Sequence, residues 1–174
     1  THVVEVVDDT LTIKVNDKRK WYDYVGIDFD IEVVTVSLPE TSYNNLVVNS
    51  NTSDVQIPSG FNFNSINVTV STGDITTKAT TVDGIKIKTT TGNICVENSS
   101  AKFIDLSVST GKISIQNVEV LNDVKFNVST GKSIVKNVTC KSLTSSGSTG
   151  DLNLENVIVN EILNVKRSTG DINL

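Results

Sequence analysis

The chain of 174 residues has no methionine, one histidine, two prolines and two cysteines, and each shortage excludes something. With His2 as the sole histidine, neither a Ser-His-Asp nor a Cys-His relay can be assembled, and zinc lacks its usual nitrogen and sulfur ligands. The cysteines, Cys95 and Cys140, have neither metal-motif nor disulfide-framework spacing. Aromatic residues make up 5% of the chain, and a net charge of -5 offers no basic stripe, so no nucleic acid is expected as a partner. There is no run of 18 apolar residues, so a membrane is expected only through a segment outside these residues. The first residue is Thr1 rather than a methionine, which leads to the expectation of a processed or longer protein. Two prolines leave strands free to pair.

What is present is Val, Ile, Thr, Ser and Asn, the composition of strands joined by tight turns. A short phrase recurs through it: Ser71-Thr72-Gly73-Asp74-Ile75, Thr90-Thr91-Gly92-Asn93-Ile94, Ser109-Thr110-Gly111-Lys112-Ile113, Ser129-Thr130-Gly131-Lys132, Ser148-Thr149-Gly150-Asp151-Leu152 and Ser168-Thr169-Gly170-Asp171-Ile172. Successive glycines are 19, 19, 20, 19 and 20 residues apart. Asn51-Thr52-Ser53-Asp54-Val55 stands 20 residues before the first glycine copy, with Ser53 in the glycine slot. A fixed period of this length marks a stacked repeat.

Apolar residues alternate at period two around each glycine, as in Ile85/Ile87 before Gly92 and Ile94/Val96 after it, and Val118/Val120 later in the Gly111 copy. Three short strands per coil, each followed by a turn, predict an all-β fold: a single-stranded parallel β-helix (β-solenoid) with about 19–20 residues per coil. The preference of parallel crossovers makes it right-handed. Residues 1-174 are read as one domain, with 1-45 an N-terminal hairpin and β cap and 46-174 seven repeats, the first degenerate and the last incomplete.

Turn positions follow from backbone chemistry. Gly73, Gly92, Gly111, Gly131, Gly150 and Gly170 suit a left-handed conformation, and so do Asn98, Asn117, Asn137 and Asn156, whose amides can form a ladder between coils. The longer copies place their extra residue where the third strand turns into the next first strand. Ser133, Ser145 and Gly147 stand where apolar residues are expected, and Lys78-Ala79-Thr80 and Ser99-Ser100 weaken the third strand, so the core should thin or bulge there. In this register Cys140 points inward and Cys95 outward, which disfavours a disulfide.

At the N-terminus two β-rich runs flank Asp8-Asp9-Thr10, which predicts a hairpin. Trp21, Tyr22 and Tyr24 read as capping residues or, in a functional alternative, an aromatic platform. Residues 27 to 38 read as a strand ended by Pro39. Asp28, Asp30 and Glu32 would share one of its faces, a solvated surface rather than a metal site, since the glycine turn and ligand order of a calcium loop are missing. No metal and no cofactor are expected.

The residue after each glycine forms a stripe, Asp54, Asp74, Asn93, Lys112, Lys132, Asp151 and Asp171. It is either a solvated ladder, with Lys132 placed to meet Asp151, or a docking strip for a polymer or a neighbouring protein. Ligand-binding candidates are accordingly Asp74, Asn93, Lys112, Lys132, Asp151 and Asp171, and catalytic candidates are none.

The hairpin ending Leu11-Thr12-Ile13, the stretch Val36 to Pro39, Tyr43 with Leu46-Val47-Val48, and the serial Ser-Thr-Gly-Asp-Ile copies together resemble a bacterial adhesin-like family of β-strand-repeat domains, itself uncharacterised. The likeness covers nearly the whole chain. It implies a β-solenoid in a bacterial cell-envelope or surface protein and brings no catalytic residues. The resulting expectation is a noncatalytic structural or adhesin-like module, exposed outside the cytoplasm, with a surface polymer or another envelope protein as partner. The alternatives are a self-assembling envelope scaffold pairing through open solenoid edges and a polysaccharide lyase or hydrolase, against which the short uniform turns argue.

Overall fold

A computed structural model describes residues 2–15 and 33–174. The chain divides into two compact units, Thr1–Leu38 and Pro39–Leu174. The first holds an antiparallel hairpin of β1 (His2–Val7) and β2 (Thr10–Val15), in register from His2↔Val15 to Val7↔Thr10. Asp8 and Asp9 form its two-residue turn with φ of 47° and 59°, the left-handed pair that matches the twist of the flanking strands. The run from Val33 to Leu38, expected to be a strand, is irregular. Among the described residues its β-branched residues have no hydrogen-bonded partner strand, and propensity without pairing does not make a strand. Trp21, Tyr22, Tyr24, Asp28, Asp30 and Glu32 lie outside the described residues.

The second unit contains β3 (Ser42–Thr52), β4 (Val55–Ile57), β5 (Asn62–Thr72), β6 (Ile75–Thr77), β7 (Thr80–Thr91), β8 (Ile94–Ala101), β9 (Phe103–Val120), β10 (Asp123–Thr149), β11 (Leu152–Thr169) and β12 (Ile172–Asn173). All its pairings are parallel, and the rungs join residues about one repeat apart, such as Leu46↔Ile66, Ile85↔Ile104 and Val124↔Ile104. This is a parallel β-solenoid of seven coils, numbered here by the slot residues Ser53, Gly73, Gly92, Gly111, Gly131, Gly150 and Gly170. Its first strand begins at Ser42, four residues ahead of the expected start of the repeats at residue 46.

The sequence predicts three separate strands per coil, whereas the pairing runs on through the corners: β10 is 27 residues long and passes through both Gly131 and Asn137. Each corner repeats in the next coil, so the ladder continues across it, with Gly73 N donating to Thr91 O at 3.0 Å and Gly92 N to Thr110 O at 3.0 Å. Extra residues sit at the third corner, as expected. Val120 pairs with Ala101 while Val124 pairs with Ile104, so the offset grows by one across 121–123. A second shift falls between Cys140 and Ser142. A bulge opposite Asn64 takes up Val82 and Asp83, next to the weak Lys78-Ala79-Thr80 stretch.

Inward columns fill the coil. Ile66, Ile85 and Ile104, then Val68, Ile87 and Leu106, then Ile75, Ile94 and Ile113, are all at most 1% exposed. Burying each such side chain contributes about 1.5–3 kcal/mol relative to leaving it in water. Near the start of the solenoid Tyr43, Phe61 and Phe63 cluster with ring centroids 5.8–6.5 Å apart, and Tyr43 Oη donates to Pro39 O at 2.7 Å. Nothing in the repeat period announces this aromatic plug.

Candidate functional site: side-chain ladders and a polar sector in the core

The recurring phrase is a corner held by close contact between coils. Gly111 has φ of 145°, and a Cβ placed on it would lie 1.9 Å from the carbonyl oxygen of Gly92 in the coil below. The slot therefore demands glycine for space as well as for conformation. Ser53, in the first coil, is absent from the residues with positive φ.

The stripe after the glycines is largely used by the fold. Asp54 Oδ1 accepts the N–H of Asp74 at 2.8 Å, Asp74 Oδ1 that of Asn93 at 2.8 Å, and Asn93 Oδ1 that of Lys112 at 3.1 Å. Asp151 Oδ1 likewise accepts from Asp171 N at 3.2 Å. The carboxylates and amide thus satisfy backbone donors that the corner leaves without a carbonyl partner. Lys112 and Lys132 cannot do this, because an ammonium is a donor only. The pairing expected between Lys132 and Asp151 is not among the ion pairs of the described residues. Asp151 faces the next coil's backbone instead.

A second ladder runs along another corner. Asn98, Asn117, Asn137 and Asn156 have φ of 50–53°. Asn117 Nδ2 donates to Asn98 Oδ1 at 3.1 Å, Asn137 to Asn117 at 2.8 Å and Asn156 to Asn137 at 2.8 Å. Beside it Thr80, Glu119 and Thr139 line an open polar trough.

The weak repeat positions in coils 5 and 6 turn out to be occupied by a distant side chain. Arg167, in the inward column of Val108, Val128 and Gly147, sends its guanidinium over Gly147. Nη1 donates to Ser146 O at 2.7 Å, and Nη2 donates to Ser133 Oγ at 2.9 Å and Ser145 Oγ at 3.0 Å. A Cβ on Gly147 would strike both the guanidinium and the carbonyl oxygen of Val128, so the glycine here is a matter of space. Burial lowers the Arg167 pKa, since no carboxylate of the described residues pairs with it, and its Nε is buried without an acceptor. Sequence reasoning noticed the three gaps but not what fills them. The signal was there: Arg167 stands in a column otherwise made of Ser, Val, Thr and Gly.

Cys140 is buried and Cys95 half-buried, and both are free. Burial pushes the Cys140 thiol up to about 11, and desolvation raises that of Cys95 as well. Among the described residues no three His, Cys, Asp or Glu side chains gather as a metal site, and no helix is long and apolar enough to cross a membrane.

These ladders and the stacked core define a parallel β-solenoid repeat domain. The family model described as Toastrack DUF4097 matches residues 1–121, and the chain belongs to that family. No curated protein and no solved structure matches the chain. The matched residues end in coil 4, so the polar sector around Arg167 lies beyond them.

Proposed function

We propose that the domain is a noncatalytic structural module of a bacterial cell-envelope protein, a stack of coils that displays side-chain rows rather than a pocket that performs chemistry. The observation that carries this reading is the use of the repeated polar side chains. The Asp/Asn stripe accepts backbone N–H groups from coil to coil and the four corner asparagines bond one another. Repeated polar residues therefore serve stacking first, as in other solenoids where each repeat is stabilised by its neighbours. The likeness of the serial Ser-Thr-Gly-Asp-Ile copies to adhesin-like repeats supports the envelope placement and an adhesive role.

Protease treatment of intact cells producing the full-length protein tests the placement. Digestion of the domain in whole cells, with a cytoplasmic marker left intact, is the expected outcome. Protection until lysis overturns the exposed-surface reading.

A further inference from the structure

Two members of the corner stripe do not perform its structural task. Asp54, Asp74, Asn93 and Asp151 each accept an N–H from the coil above, but Lys112 and Lys132 have no acceptor to offer. They are also direct neighbours in register, a like-charge pairing that destabilises a sheet. The fold thus loses two capping acceptors and gains a repulsion at adjacent coils. A local rule broken without structural gain is where a binding surface is expected.

More lysines flank the same corner. Lys86 and Lys88 are exposed two residues apart on β7, and Lys125 stands in the same outward row two coils on, through the register Lys86↔Asp105↔Lys125. Between these lysines and the corner pair runs an exposed row of hydroxyls, Thr91, Thr110 and Thr130. Lys14, Lys78, Lys136 and Lys141 each have a carboxylate partner. Among the described residues no carboxylate lies within ion-pair distance of the five lysines of this face, as is also true of Lys102 and Lys166 elsewhere. The outward rows also carry Asp105, between Lys86 and Lys125 in register, and Asp123 beside Lys125. Five lysines against these two carboxylates leave the face positive on a chain of net charge -5.

We propose that the lysine and threonine face of coils 3–5 docks an acidic polysaccharide, an extended chain bearing carboxylates and hydroxyls. Its carboxylates meet the lysines and its hydroxyls meet the threonine row, which recurs at the coil spacing of about 4.8 Å. The face has no arginine fork for bidentate phosphate recognition and no aromatic row for stacking nucleobases. The proposal goes beyond the structural reading and does not depend on where the protein resides.

The test is calorimetric titration of the 174-residue chain at low salt with alginate, neutral dextran and linear polyphosphate. Two double variants, Lys112→Asn with Lys132→Asp and Lys86→Gln with Lys88→Gln, are compared with Lys141→Gln as control. Alginate should bind in preference to both other polymers. Affinity should fall about tenfold or more in each double variant, with a shallower salt dependence, and stay unchanged in the control. The first double variant restores acceptors, so its melting temperature should not fall below that of the parent chain. Absence of alginate binding, equal binding by the double variants, or tighter binding of polyphosphate or dextran overturns the proposal. So does a lowered melting temperature in the restored variant, because the lysines would then be serving the fold.

Discussion

The interiors of coils 2–4 and coils 5–7 use the same inward columns but different chemistry. In coils 2–4 three columns hold Ile66, Ile85 and Ile104, Val68, Ile87 and Leu106, and Ile75, Ile94 and Ile113, all sealed from water, and buried hydroxyls beside them, such as Thr89 and Ser99, donate only to backbone carbonyls. In coils 5–7 two of these columns pass through Ser133 and Ser145, the column of Val108 and Val128 passes through Gly147, and the guanidinium of Arg167 lies among them. The backbone register scarcely registers the change: Ser133 pairs with Ile113 and Leu152 as an isoleucine would. A solenoid position touches little beyond the neighbouring coils, so a polar departure can be answered from one or two coils away without disturbing the rest. Three small residues without Arg167 would leave a void with two orphaned hydroxyls. Arg167 without them would be a charge driven into packed side chains.

The largest expected effect separates the two interiors by truncation. Leu106, in coil 4, is 0% exposed, and Leu106→Ala should cost about 2–5 kcal/mol in urea unfolding, through lost transfer energy and a residual cavity. Ser145, two coils on in the same column, is 1% exposed, yet Ser145→Ala removes one hydroxyl acceptor and should cost only about 1 kcal/mol. Equal losses would mean that the polar sector packs as tightly as the apolar one, and the contrast would collapse.

The next experiment asks whether the polar sector costs stability. Arg167→Ala leaves Ser133 and Ser145 without their partner and should destabilise by about 1–3 kcal/mol. Combining Ser133→Ile, Ser145→Val and Arg167→Val extends the apolar columns through the sector and keeps Gly147, where a Cβ would strike the carbonyl oxygen of Val128 as well as the guanidinium. Replacing a half-buried charge and its polar partners together is often stabilising, so this triple variant should gain about 1–2 kcal/mol. The effects must be strongly non-additive, because Ser133→Ile or Ser145→Val alone takes a hydroxyl acceptor from the guanidinium and adds bulk beside it. A triple variant weaker than the parent chain would show that the sector is the better packing.

Much of this was legible in advance, and the reasons differ by feature. Period and alternation decide which side chains face inward, because a one-residue slip would turn a whole coil inside out. The glycine and asparagine corners follow from φ, a property of single residues. The long-range pieces were not legible. Arg167 lies 34 residues from Ser133, and only the stacked geometry brings them together. The capping task of Asp74 and Asp151 was hidden because a carboxylate after a glycine reads as surface charge until the N–H above it is placed. Val33 to Leu38 misled in the other direction, since strand propensity carries no information about whether a partner edge is free.

The smallest predicted difference concerns a feature that both interiors share. The asparagine ladder runs from Asn98 to Asn156 with φ constant within a few degrees, so it crosses from the apolar coils into the polar ones without change. If the difference between the two regions is confined to the core, a mutation in the ladder should cost the same on either side. Asn117→Ala and Asn137→Ala each keep a Cβ at φ near 50° and remove the amide, for a loss of about 1–2 kcal/mol. Asn117→Gly and Asn137→Gly relieve the backbone strain and lose only the ladder bond, so they should be milder. The measurement is thermal or urea unfolding of the four variants. Matching losses at 117 and 137 place the contrast inside the coil alone. A larger loss at 137 would mean that the polar sector has weakened its own corner, and that Arg167 and the ladder support the same coils.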